Sequence, residues 1–218
     1  MDTELLTYLQ GFLTERRISL FQKILQERTR HFTIATEDVY QLHNTSAVMR
    51  SCDVFGIQDL HIIEEIGRKK IDKEIAMGAQ KWVSLHRYSS VKESIKTLKE
   101  KGYQIVATTP HKESTFLHDF DVNEKAAFFF GKESEGLSDF VMEEADSYLK
   151  IPMYGFTESL NISVSAAITM QHVITKLKQS TINWHLTEAE KQEITLEWTK
   201  KTIKNADEIV ERYYLEKK

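Results

Sequence analysis

From Thr33 to about Lys178, short runs of β-branched and aromatic residues alternate with segments of helical periodicity, and this alternation is what most narrows the fold. The runs are Thr33–Val39, Leu60–Glu64, Trp82–Leu85, Gln104–Thr108, Ala126–Phe130 and Tyr148–Met153. Helical patterns lie between them at Thr45–Phe55, Ser90–Lys101, Leu137–Ala145 and Leu160–Lys178. Parallel strands need crossover helices, so the expected fold is α/β, a mostly parallel sheet with helices on both faces. The ends read differently. Leu5, Leu9, Phe12, Leu13, Leu20, Phe21, Ile24 and Leu25 recur at helical spacing before the first strand, and Ile194, Trp198, Ile203, Ala206, Val210 and Tyr213 do so after the last. One amphipathic helix is expected at each end.

At 218 residues the chain can bury a core without disulfides or metal. Cys52 is alone, which excludes an internal disulfide framework and a cysteine-clustered zinc site, and no metal is expected. Asp2 and Glu4 open a terminus without a long apolar run, so the expectation is a soluble, cytoplasmic protein with no signal peptide or membrane span. The net charge of -4 argues mildly against nucleic acid, but its distribution is uneven. Arg16, Arg17, Lys23, Arg28 and Arg30 form one basic island, Arg68, Lys69, Lys70 and Lys73 a second, and acid concentrates between Glu113 and Asp146. For each island taken singly, a solvated helix face is the favoured reading.

In α/β sheets, ligands bind outside the carboxyl ends of the strands, and three such places stand out here. After the first strand comes His43-Asn44-Thr45-Ser46-Ala47-Val48-Met49-Arg50, where Asn44 is a natural N-cap and Arg50 sits on the helix it starts, three residues before Asp53. The pattern fits a capped helix with a surface ion pair, and it also fits an amide and a guanidinium aimed at a sugar hydroxyl or a phosphate. After the fifth strand comes Phe130-Gly131-Lys132-Glu133-Ser134-Glu135-Gly136-Leu137. A phosphate loop would need Gly-Lys-Ser/Thr, and Glu133 follows Lys132, so nucleoside triphosphate binding is excluded. No Gly-x-Gly-x-x-Gly follows any strand, so the dinucleotide fingerprint is absent too. What remains is either a tight turn or a bend that lets backbone groups approach a ligand. After the sixth strand, Ile151-Pro152-Met153-Tyr154-Gly155-Phe156-Thr157-Glu158-Ser159-Leu160-Asn161 leads into a helix slimmed by Ser163, Ser165, Ala166 and Ala167. Ser159 is the expected N-cap, and the junction reads as a ligand-holding loop or as an ordinary strand-to-helix connection.

Taken in this order, the three segments resemble the motifs of the SpoU-TrmH family, the knotted RNA ribose 2′-O-methyltransferases. Asn44 to Arg50 with Phe55-Gly56 resembles the first motif. Gly131-x-Glu133-x-x-Gly136-Leu137 resembles the second, and Ile151-Pro152-Met153 through Ser159-Leu160-Asn161-x-Ser163-Val164 the third. The resemblance implies a C-terminal deep trefoil knot that binds S-adenosylmethionine, with Thr108, Gly131, Ile151 and Leu160 contacting it largely through backbone atoms. It implies an obligate homodimer with the active site completed near the subunit interface. It assigns the reaction to Arg50, oriented by Ser159 and supported by Asn44, Glu133 and Asn161. A guanidinium stays protonated, so Arg50 is expected to stabilise the developing alkoxide and hold the adjacent phosphate rather than act as a literal base.

Within the family, this layout, with short helical ends and no separate RNA-binding domain, most resembles the tRNA guanosine-2′-O-methyltransferases acting on guanosine 18 of the D-loop. The expected organisation is then residues 1–32 as an RNA-contacting extension, 33–178 as the methyltransferase domain and 179–218 as a C-terminal extension. Arg17, Arg28, Arg30 and His43 would contact tRNA. Another tRNA position or ribosomal RNA is the alternative target, and a non-catalytic RNA-binding dimer the rival from a different class.

Overall fold

The computed structural model describes residues 2–39, 42–64, 76–110, 114–132 and 135–217. The second basic island, Arg68, Lys69, Lys70 and Lys73, lies outside the described residues, as does Glu133. The chain divides into two compact units, Thr29–Trp184 and a second formed by Met1–Arg28 with His185–Lys218.

Among the described residues, the larger unit is built on seven parallel strands: β1 (Phe32–Glu37), β2 (Asp59–Ile63), β3 (Ser84–Tyr88), β4 (Gln104–Thr108), β5 (Thr115–Phe116), β6 (Ala126–Phe130) and β7 (Ser147–Lys150). Their order across the sheet is β3-β2-β1-β6-β4-β7-β5. The chain leaves β1 outward through β2 and β3, crosses to β4, and later inserts β6 between β1 and β4 and β7 between β4 and β5. That arrangement sets the carboxyl ends of β6, β4 and β7 side by side.

Among the described residues, four helices flank the sheet: α3 (Leu42–Phe55), α4 (Val91–Glu100), α5 (Asp139–Glu144) and α6 (Ile162–Gln179). Alternate strand residues serve opposite layers. Ile34, Val106 and Phe128 pack with Val48, Met49 and Cys52 of α3 and Ala166, Met170 and Val173 of α6. Ala35, Ile105, Ala107 and Phe129 pack with Ile95 and Leu98 of α4 and Val141 of α5. Because both faces are covered, β1, β2 and β6 are buried along their whole length, and β6, Ala126–Phe130, reads as a continuous apolar run.

The second unit holds α1 (Thr3–Gln10), α2 (Glu15–Leu25), α7 (Glu188–Thr202) and α8 (Ala206–Glu216). Leu5, Leu9 and Tyr213 form its centre, with Tyr8, Leu196, Ile203, Ile209 and Val210 packed around them. The single helix expected at each end is therefore two. Gly11 closes α1, and Thr14 caps α2 by accepting a hydrogen bond from the Arg17 amide at 3.3 Å. At the other end the extended Ile203 and the left-handed Asn205, φ 57°, part α7 from α8. In both cases the break is so short that the apolar period runs across it.

Candidate active site

Thr108 ends β4, Gly131 follows β6 and Ile151 follows β7, so the strand order alone gathers three residues that are far apart in sequence. They line one cavity of about 560 Å³, with Thr109, Pro110, Leu137, Met142, Leu149, Ser159, Leu160 and Ile162 among its other walls. All four residues expected to contact the cofactor and Ser159 thus share a single site. That volume is in the range of small-molecule sites. Thr108 donates its hydroxyl to the Phe129 carbonyl at 2.6 Å, which fixes the end of β4 against β6.

The turn after β6 is closed by a reciprocal pair, the Lys132 amide to the Gly136 carbonyl and the Gly136 amide to the Lys132 carbonyl, both 2.9 Å. A Cβ on Gly131 would come within 2.1 Å of the Gly136 oxygen, so the backbones approach where no side chain fits. Gly136 itself has φ 74°. Glu37, buried at the end of β1, accepts a hydrogen bond from the Ser138 amide at 2.9 Å and ties this turn to the sheet. The rim carries both signs of charge, Lys132 and Lys150 against Glu135 and Asp139, with Lys132 3.0 Å from Glu135.

Along the third segment the backbone stays out of the helix through Leu160, and Asn161 rather than Ser159 caps α6. Its Oδ1 accepts from the Ser163 amide at 2.9 Å and from the Ser163 hydroxyl at 2.6 Å. Remaining in the loop is what lets Ser159 and Leu160 line the cavity. With its oxygen engaged by the helix, Asn161 donates through Nδ2 to Asn44 Oδ1 at 3.1 Å. The first and third segments are therefore joined by an amide pair. Asn44 is not the N-cap expected of it; α3 begins at Leu42, and the buried Asn44 side chain turns to Asn161 instead.

Arg50 lies six positions beyond Asn44, hence on another side of α3. His43, Arg50 and Val54 make an exposed stripe at helical spacing, and Arg50 does not line the cavity of its own chain. Of the residues expected to touch RNA, Arg17 and His43 are exposed. Arg28 is 1% exposed, its guanidinium 5.4 Å from the Trp198 ring centre, and Arg30 bonds through Nε to buried Asp59 at 3.0 Å. Burial removes Arg28 from any phosphate contact, and Arg30 is committed to a carboxylate within the chain.

Several wall residues carry no motif: Met142 and Asp139 come from α5, and Ser165 and Thr169 from one face of α6. Only the small-residue face of α6 left a trace in the sequence.

The sequence pattern of the SpoU rRNA methylase family matches residues 31–171. The chain belongs to that family. Among SpoU relatives, it is 39% identical over 197 residues to the tRNA (guanosine(18)-2′-O)-methyltransferase of Borreliella burgdorferi, covering 90% of each chain. It is 33% identical over 157 residues to the Thermus thermophilus protein of the same description, covering 72% of this chain and 81% of that one. A solved SpoU structure, the A. aeolicus TrmH/SpoU tRNA modifying enzyme, superposes with a TM-score of 0.80 at 30% identity, covering 88% of this chain and 98% of the other. No helix among the described residues is long and apolar enough to cross a membrane.

Proposed function

We propose that this chain transfers a methyl group from S-adenosylmethionine to the ribose 2′-hydroxyl of guanosine 18 in tRNA. The observation that carries the reading is the cavity at the carboxyl ends of β4, β6 and β7, walled by the second and third of the segments that resemble the family motifs together with the end of β4. Its residues fit S-adenosylmethionine. The Gly131 cradle admits a ligand edge against bare backbone, Leu149, Ile151, Leu160 and Ile162 offer apolar walls to a heterocycle, and the mixed charges of the rim suit an amino acid group better than a triphosphate. When bound, that cofactor supplies an electrophilic methyl group.

The chain's own residues then have three tasks. Thr108, Gly131, Ile151 and Leu160 hold the cofactor, chiefly by backbone groups. The Asn44–Asn161 pair fixes the loop that carries Ser159 beside the cavity. Arg50 holds the phosphate next to the target ribose and stabilises the oxyanion formed as the 2′-hydroxyl attacks, its planar fork matching phosphate oxygens. The proton leaves to that phosphate or to water. Glu133 belongs to the same second motif as Gly131 and supports the site.

Arg50 stands outside its own chain's cavity, so the reading includes a homodimer whose interface completes the active site. The exposed apolar residues Val164 and Ile168 of α6 supply a surface for it. It also includes the trefoil knot that the resemblance implies, a cytoplasmic location, and residues 1–32 and 179–218 as extensions of a 33–178 catalytic domain. Exposed Arg16, Arg17 and Lys23 of α2 provide the tRNA phosphate contacts, with His43 beside Arg50.

The test is methyl transfer from labelled S-adenosylmethionine to unmodified tRNA transcript, followed by nuclease digestion and mass mapping. A 2′-O-methylguanosine at position 18 is the expected product. A methyl group at another ribose moves the target, and no transfer to any RNA from a preparation that binds the cofactor overturns the reading.

A further inference from the structure

Thr169 lies on α6, one turn beyond Ser165, and both line the cavity. It is 0% exposed, and its hydroxyl has no hydrogen-bond partner. Among the described side chains with an orphaned buried polar atom, it alone lines this cavity. A threonine in a helix ordinarily satisfies its hydroxyl on the carbonyl one turn back, and here that bond is not made. An unsatisfied buried hydroxyl is costly, and native chains keep one where something outside the chain completes it. Phe130, Leu149 and Ile162 in the same wall are buried and apolar, whereas the charged Lys132 and Glu135 are more accessible.

We infer that the Thr169 hydroxyl is a ligand contact on the buried side of the cavity, completed by an uncharged polar edge of the bound nucleoside. A hydroxyl both donates and accepts, so it can pair with an amino group or with a ring nitrogen. The charged amino acid portion of the ligand then falls toward the rim. This inference rests on the cofactor reading above and adds to it a residue that none of the three motifs contains.

The experiment compares wild type, Thr169→Val and Thr169→Ser by calorimetric titration with S-adenosylhomocysteine and by thermal unfolding without ligand. Thr169→Val keeps the shape and removes the orphan. Its affinity is expected to fall about tenfold, the equivalent of one hydrogen bond, while the unliganded protein melts at the same temperature or higher. Thr169→Ser is expected to hold affinity within about threefold of wild type. An unchanged affinity in Thr169→Val overturns the inference, because the hydroxyl then has no ligand partner. So does a melting temperature lowered in step with affinity, because the hydroxyl then serves the fold. Failure of wild type to bind S-adenosylhomocysteine would instead overturn the cofactor reading itself.

Discussion

A Cβ at position 131 would meet Gly136 O at 2.1 Å and the Leu137 amide nitrogen at 2.4 Å, both backbone atoms that cannot rotate away. Gly131→Ala must therefore open the turn after β6, where the reciprocal Lys132–Gly136 bonds sit. The expected outcome is a loss of about 1–3 kcal/mol of stability in denaturant unfolding, typical of overpacking, and at least about tenfold weaker S-adenosylhomocysteine binding. Wild-type values for both would mean the turn is not a cradle. Arg50 has the opposite profile, exposed and outside the cavity. Arg50→Lys keeps the charge but loses the fork, so kcat is expected to fall by about 10²-fold or more with binding of S-adenosylhomocysteine unchanged. Full turnover in that variant would remove Arg50 from the reaction.

Strands β2 and β3 carry a buried polar ladder on the α4 side of the sheet. Asp59 Oδ1 accepts from His86 Nε2 at 2.8 Å, His61 stacks on His86 with ring centres 4.6 Å apart, and His61 Nδ1 lies 3.1 Å from the Tyr88 hydroxyl. Burial first, and then the neighbouring His86, depress the His61 pKa from the ordinary 6.5 to about 3, partly opposed by Asp59. The folded chain therefore keeps His61 neutral while the unfolded chain protonates it below 6.5. The stability is fully present above pH 6.5 and is lost as pH falls toward 3, at about 1.4 kcal/mol per unit once well below 6.5. Urea unfolding at pH 7.5, 6 and 5 is expected to show this slope, and His61→Phe, which preserves the stack, is expected to lose that part of it. An equal slope in both proteins would assign the effect elsewhere.

These elements also mark what the sequence could convey. The crossover helices were legible from their periodicity, and β6 from the continuous apolar run that burial on two faces leaves. By contrast, β3 was expected at Trp82–Leu85 and lies at Ser84–Tyr88, since a 3₁₀ turn at Ala79–Lys81 draws in the Trp82 and Val83 amides. The two-residue β5 is too short to carry a period. At the site, motif spacing marked the ends of β6 and β7, whereas Thr108 at the end of β4 belongs to none of the three motifs. Spacing could not mark the Asn44–Asn161 pair, a contact across 117 positions, nor the burial of Arg28 on Trp198, because both are decided by packing between distant segments.

For the molecule as a whole, α6 poses a problem that one chain does not solve. Its inner side, Ile162, Ala166, Met170 and Val173, is in the core, while Leu160 just before it and Val164 and Ile168 along it remain 38%, 44% and 38% exposed at four-residue spacing. A helix apolar on opposite sides belongs in an interior, and a second copy of this chain would supply one. Leu160 also lines the cavity, so the same surface would bring a partner subunit to the place where Arg50 is missing. The double variant Val164→Glu with Ile168→Glu puts two carboxylates on that stripe without touching a cavity wall. Analytical ultracentrifugation is expected to give a dimer for wild type and a monomer for the variant, with far-ultraviolet circular dichroism unchanged and tRNA methylation reduced by about 10²-fold or more, as for loss of the Arg50 contribution. A variant that stays dimeric would place the interface on another face. A monomer with undiminished turnover would mean that one chain holds the whole active site, and Arg50 would then have to reach the ribose from its own α3.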